Sequence, residues 1–190
     1  MTVQEYQSRK GQSYKLLLWF GMISMVMMFA GLTSAYIVST SRKDWLKDFE
    51  LPQAFIFSTI IIIVSSFTIH MALSTIRNND RNKTTMWLLV TLLLGVLFVV
   101  FQFIGFGQII EQGYFFTGSE STVNTSFLYI IAILHMAHLF GGLLALLIII
   151  YNHFKQKYNS TQTLGIELGA MFWHFLDILW ILLFLFFYFY

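Results

Sequence analysis

The chain has 190 residues, of which 57% are hydrophobic and only 11% charged, and 21 of them are phenylalanine. A soluble domain of this size cannot hide so much apolar surface, so an integral membrane protein is the class to expect. A net charge of +2, with no basic cluster and interleaved aromatics, gives no reason to expect nucleic acid as a partner. The absence of cysteine excludes disulfides, iron–sulfur clusters and thiol nucleophiles.

Residues 1–15 (MTVQEYQSRKGQSYK) are polar and basic and precede five apolar stretches. Each stretch is near or above the roughly 20 residues that a membrane-spanning helix needs. The first, Leu16–Thr40, is too long for a signal-peptide core and shows no small-residue cleavage site, so it is read as a retained membrane helix. It carries Ala30, Gly31, Ser34 and Ala35 at the small-xxx-small spacing that lets helices approach closely. The second, Gln53–Ile76, follows the single proline, Pro52, and contributes the hydroxyls of Ser58, Thr59, Ser65, Ser66 and Thr68. The third, Thr85–Glu111, places Gly95, Gly105 and Gly107 around Gln102, and the fourth, Thr125–Tyr151, contains HMAHLFGG at residues 135–142. The fifth is Leu164–Tyr190. Short polar loops separate them, and neither a repeat nor a linker marks a second domain. The expected fold is an all-α bundle of five transmembrane helices spanning residues 16–190.

Orientation follows from the loop cations. The N-terminus (Arg9, Lys10, Lys15), the second loop (Arg77, Arg81, Lys83) and the fourth (Lys155, Lys157) put eight Lys/Arg on one side. The first loop (Arg42, Lys43, Lys47) leaves three on the other. The N-terminus is therefore expected in the cytoplasm and the C-terminus outside.

The chemistry concentrates in GIELGAMFWHFLDILW, Gly165–Trp180. At about 100° per residue, Glu167, His174 and Asp177 share one side of the helix, with Trp173 and Trp180 on a neighbouring stripe. A charge at the bilayer centre costs roughly 2.5–3.5 kcal/mol. This side should therefore meet protein, bound lipid or water. In the fourth stretch His135 and His138 are one turn apart. With His174 and Asp177 they form a conceivable four-ligand metal site, but a buried network of interhelical hydrogen bonds or a subunit or lipid contact is the favoured reading. A bis-His haem between segments four and five and a proton relay are weaker alternatives, the relay because segments one to three supply no interior carboxylate to extend it. No catalytic residue, resident metal or cofactor is assigned to this chain.

The last helix resembles the signature of subunit III of the haem–copper oxidases, the cytochrome c oxidase family. In that family a Glu precedes W-H-F-x-D-x-x-W, and these positions are here Glu167, Trp173, His174, Phe175, Asp177 and Trp180. The family's H-x-x-H-x-x-x-G falls on His135, His138 and Gly142, its aromatic-then-Gln arrangement on Phe98 and Gln102, and its G-x-x-x-A-F/Y on Gly31, Ala35 and Tyr36. Two positions depart: Met25 stands after Ser24 where the family commonly has Glu, and Gly105 replaces the Glu of Q-x-x-E. The length matches the short five-helix form without the two N-terminal helices of the seven-helix version.

The resemblance implies a non-catalytic subunit of a respiratory terminal oxidase in the bacterial cytoplasmic (inner) membrane. Subunit I is the main partner it implies, with subunit II and other respiratory-complex subunits beside it. The haems and copper would reside in those partners. This chain would hold structural phospholipids and support proton uptake or dioxygen access. Quinol oxidase and nitric oxide reductase are rival partners within that reading. A stand-alone His-based membrane redox protein or transporter is the rival of another class.

Overall fold

The computed structural model describes residues 3–42, 45, 51–116 and 122–189, with side chains from residue 9 onward. Lys43 and Lys47, counted above for orientation, lie outside the described residues, as do Met1, Thr2 and Tyr190.

The described residues form five helices and no strand: α1 (Val3–Ser39), α2 (Gln53–Arg77), α3 (Arg81–Glu111), α4 (Val123–Phe154) and α5 (Leu164–Phe189). All five are long and apolar enough to cross a membrane. Helix is forced on such segments because hydrocarbon offers no partner to a free peptide group. The largest difference from the sequence reading is at the start: the polar N-terminal residues are already helical from Val3, so α1 begins well before Leu16. Helix α3 starts at Arg81 rather than Thr85, and α4 runs Val123–Phe154 rather than Thr125–Tyr151. The 37 residues of α1 extend some 55 Å at the usual rise. With no proline to stop it, the helix propagates into the polar segment.

The ends of the other helices follow from local chemistry. Pro52 sits at the N-cap of α2, where its missing N–H costs nothing. Asp80 caps α3, its Oδ1 accepting from the Lys83 backbone N–H at 3.2 Å. The hydrogen bonds from Lys83 hold the Asp80 carboxyl below its ordinary value. Thr122 and Thr125 form a capping box at the start of α4. Between α2 and α3 the chain reverses through Asn79 at φ 59°, a left-handed conformation that asparagine tolerates well.

Helices α2, α3, α4 and α5 pack in a closed ring, each against the next, with α5 returning to α2. Helix α1 lies outside this ring on the α4–α5 face and makes no packing contact with α2 among the described residues. The core holds Trp173, Phe98, Leu88, Ile62 and Ile69, all essentially inaccessible. Polar rungs join α2 to α3: Thr68 and Thr91 hydroxyls lie 2.8 Å apart, Thr75 and Thr84 3.0 Å apart, and Gln102 Nε2 donates to Ser58 Oγ at 3.1 Å.

Glycine sets how closely α4 and α5 approach. A Cβ on Gly142 would lie 2.8 Å from Leu176 Cδ1, and one on Gly169 would overlap Ile149. Each helix thus seats a branched side chain in the other's gap. Gly31 and Ala35 are placed otherwise. Both lie on the exposed face of α1, and nothing comes within 4 Å of a Cβ built on Gly31. The buried face of α1 is instead Met22, Phe29 and Tyr36, repeating every seventh residue. Only 11% of the apolar span of α1 is buried, against 33–39% for the other four, so its outer face awaits a partner or lipid.

Candidate functional site

The residues singled out in α4 and α5 fall into three groups rather than one network. The first is at the N-terminal turn of α5, where Glu167 ties three helices together. Its Oε2 accepts from Lys15 Nζ of α1 at 2.8 Å, and its Oε1 accepts from Arg77 Nη2 of α2 at 3.1 Å and Thr163 Oγ1 at 2.8 Å. A carboxylate in the first turn also complements the helix dipole. Glu167 is thus a clamp at the membrane border, at the same end of α5 as the α4–α5 loop.

The second group is the seam between α5 and α2. Trp173 Nε1 donates to Ser65 Oγ at 3.0 Å, and Trp180 Nε1 donates to Thr59 Oγ1 at 3.1 Å. Between them Ser66 Oγ meets His174 Nδ1 at 2.6 Å. The α2 hydroxyls are thus satisfied by an indole, an imidazole and a second indole along α5, spaced by the helix repeat. Asp177 is buried one turn beyond His174. Ser66 stands beside it, but that hydroxyl engages His174, and neither carboxyl oxygen is hydrogen-bonded to a described residue. The exposed His70 of α2 brings its ring centroid to 6.3 Å from that of His174.

The third group belongs to α4 and faces α1. His135 is fully buried among Phe29, Phe98 and Trp180, with ring centroids at 6.4, 6.2 and 5.1 Å, and neither ring nitrogen is hydrogen-bonded to a described residue. His138 is half-buried, and its Nδ1–H donates to the Leu134 carbonyl at 2.7 Å. Phe29 also packs edge-on against His138 at 5.7 Å, so one aromatic ring of α1 touches both imidazoles. The four-ligand arrangement of His135, His138, His174 and Asp177 does not form. His174 is bonded to α2, whereas His135 is ringed by aromatics, and no group of three or more such ligands occurs among the described residues.

The sequence did not single out Phe29, Thr91, Thr84 or Gly169. Gly169 could have been found, since Gly165-x-x-x-Gly169 repeats the small-xxx-small spacing. Gly142 and Gln102 sit inside the bundle, at helix contacts. Gly95 adds a third close approach, its Cβ position 2.8 Å from the Trp173 ring. The arrangement can bond helices to one another and present α1 outward.

Comparison with known proteins bears on the whole chain. The sequence profile of the family described as Cytochrome c oxidase subunit III matches residues 5–190. A Synechocystis protein named cytochrome c oxidase subunit 3 is 29% identical over 83% of this chain and 67% of its own length. A Corynebacterium diphtheriae protein of the same name is 30% identical, covering 86% of this chain and 82% of its own. A Staphylococcus haemolyticus protein named probable quinol oxidase subunit 3 is 28% identical over 94% of this chain and 89% of its own.

Proposed function

Because the chain belongs to the cytochrome c oxidase subunit III family, we propose that it is the non-catalytic subunit III of a respiratory terminal oxidase that takes electrons from cytochrome c. Membership makes it a multi-pass membrane component of a haem–copper oxidase complex. The finer reading adds a location, a partner and a task. The location is the bacterial cytoplasmic membrane, with the N-terminus inside. The main partner is the catalytic subunit I, with subunit II beyond it. The task is to brace subunit I, hold lipid and support proton uptake or dioxygen access.

One observation carries the reading. Four of the five polar residues singled out in α5 hold helices: Trp173, His174 and Trp180 each bond an α2 hydroxyl, and Glu167 bonds α1 and α2. What they build is a rigid ring with α1 on its outside, and α1 leaves most of its apolar surface free. A membrane scaffold with an uncovered helix suits a subunit that docks beside a larger one.

The test is purification in mild detergent through a tag on the N-terminus, with an optical spectrum and a subunit census. Recovery of a large haem–copper subunit with a-type haem is the expected result. Steady-state assays with cytochrome c and with quinol then identify the donor. The Staphylococcus relative makes quinol the second reading, and preferential quinol turnover would select it. A complex bearing b- and c-type haems would select a nitric oxide reductase. A chain that purifies alone with its own haem or metal would overturn the scaffold reading.

A further inference from the structure

The seam between α2 and α5 carries two imidazoles whose nitrogens the packing of the bundle does not use in full. The two helices are antiparallel, and the Glu167–Arg77 ion pair closes their common end. His174 follows Glu167 by seven residues and His70 precedes Arg77 by seven. Each histidine therefore stands about 10 Å from that pair along its own helix. Equal depth brings the rings together, with centroids 6.3 Å apart and planes at 49°. His174 is half-buried, whereas His70 is exposed and hydrogen-bonded to no described residue.

One nitrogen of the pair is committed. His174 Nδ1 lies 2.6 Å from Ser66 Oγ. Ser66 also stands beside Asp177, whose two buried carboxyl oxygens accept from no described residue. One placement of protons serves all three groups: Nδ1–H donates to Ser66 Oγ, and the Ser66 hydroxyl proton turns toward Asp177. That tautomer leaves the lone pair of His174 on Nε2. Metal-binding histidines are held from their far side in the same way, by a chain of hydrogen bonds that fixes tautomer and ring.

Two imidazoles this close suit a single ion. Zinc binds imidazole nitrogen at about 2.0–2.1 Å, so two rings on one ion have centroids roughly 5–6 Å apart. The exposed His70 side chain has to close by about 1 Å. Ligand type selects the ion, since imidazole suits zinc, copper and nickel, whereas magnesium and calcium take oxygen. The other close pair is unsuited to this task. His138 Nδ1 is bonded to the Leu134 carbonyl, and His135 is sealed among aromatic rings.

We propose that His70 and His174 bind a divalent transition-metal ion of the zinc class across the α2–α5 seam, with Ser66 and Asp177 orienting His174. Two protein ligands, with water completing the shell, make an exchangeable site rather than a closed structural one. Zinc has no redox chemistry, so the ion staples two helices and leaves the scaffold role unchanged. It is taken up from solution rather than carried through purification. Its binding does not depend on which oxidase the chain serves.

The experiment is isothermal calorimetry of the full chain in detergent, purified through a histidine-free tag, stripped with chelator and titrated with Zn2+ or Mg2+. Binding of Zn2+ without binding of Mg2+ is expected. His70→Gln, a change at an exposed position, should weaken Zn2+ roughly 100-fold, and Ser66→Ala, which removes an orienting partner, roughly 10-fold. His70→Cys should keep the ion, because thiolate is also a zinc ligand. His138→Gln should leave binding unchanged. Saturating Zn2+ should raise the thermal midpoint of the native chain and not that of His70→Gln. Metal-free midpoints of the variants check that each one folds. The proposal is overturned by a native chain that does not bind Zn2+, by Mg2+ binding as tightly, or by undiminished binding in His70→Gln. Loss of binding in His138→Gln would equally overturn it, by moving the ion to α4.

Discussion

Glu167→Gln isolates what the clamp contributes to holding α1. Glutamine keeps the size of the side chain but only one acceptor oxygen, so the change removes the charge and either the acceptor for Lys15 or the one for Arg77 and Thr163. Lys15 and Arg77 side chains are 41% and 56% exposed, so both ion pairs are screened by water and must be discounted accordingly. Only the Lys15 pair joins α1, and an exposed pair contributes roughly 0.2–1 kcal/mol, which puts the loss at about 0.5 kcal/mol. That is a roughly twofold shift in the population of a detached α1. The effect should be readable because α1 has little else to hold it, with only 11% of its apolar span buried. As the chain has no cysteine, spin labels can be placed on Leu17 of α1 and Ser74 of α2 alone. Their distance distribution should be narrow in the native chain and broadened in the variant. Raising ionic strength to about 1 M, where the Debye length falls to some 3 Å, should broaden the native distribution in the same way. An unchanged distribution in both cases would show that aromatic packing of Phe29 and Tyr36 holds α1 and that the ion pairs are incidental.

Other outcomes test other parts of the structure. Gly142→Val should cost about 1–3 kcal/mol, because its Cβ would lie 2.8 Å from Leu176 Cδ1 at the α4–α5 contact and that side chain would have to move. Gly31→Val, on an open face, should change the thermal midpoint of the isolated chain little; equal losses would mean the α4–α5 approach is not tight. His135→Phe should leave stability unchanged or raise it, since the ring is surrounded by aromatics and bonds no described residue. A loss of about 2 kcal/mol or more would reveal a hydrogen-bond partner for that imidazole. Asp80 ionises more readily in the folded chain than in the unfolded one, owing to Lys83. Its cap therefore stabilises α3 above the ordinary carboxylate range and is lost as pH falls through the lowered value. Protection of the Lys83 and Thr84 amides, measured against their intrinsic exchange rates at each pH, should fall on acidification, and in Asp80→Asn this pH dependence of protection should vanish.

The residue pattern of α5 was informative about its own helix and silent about its neighbours. Trp173 and Trp180 do lie on one stripe, and Glu167, His174 and Asp177 do lie to one side of it. The spacing could not say that this side meets α2, and His135 and His138 of α4 offered an equally good match on paper. Any polar face can be satisfied by hydroxyls as well as by imidazoles, and hydroxyls are scattered through every membrane helix. Small residues posed the same ambiguity. Gly31 and Ala35 have the spacing of a tight contact, as Gly165 and Gly169 do. Yet Gly31 and Ala35 face outward while Gly169 receives Ile149.

Sequence alone therefore determined that there are five helices long and apolar enough to span, though not that α1 starts as early as Val3. Hydrocarbon requires each helix to satisfy its own peptide groups, so hydropathy and length are enough. It also determined which residues share a side, because 3.6 residues per turn is a property of one helix. The order of packing was decided only by the tertiary structure: a ring of α2 to α5 with α1 outside, Glu167 joined to both α1 and α2, and three polar groups in place of one network. Those outcomes depend on which side chains interlock at close range, such as Leu176 over Gly142 and Phe29 between two histidines. Such fits are properties of pairs of surfaces, which no single helix carries in its own pattern.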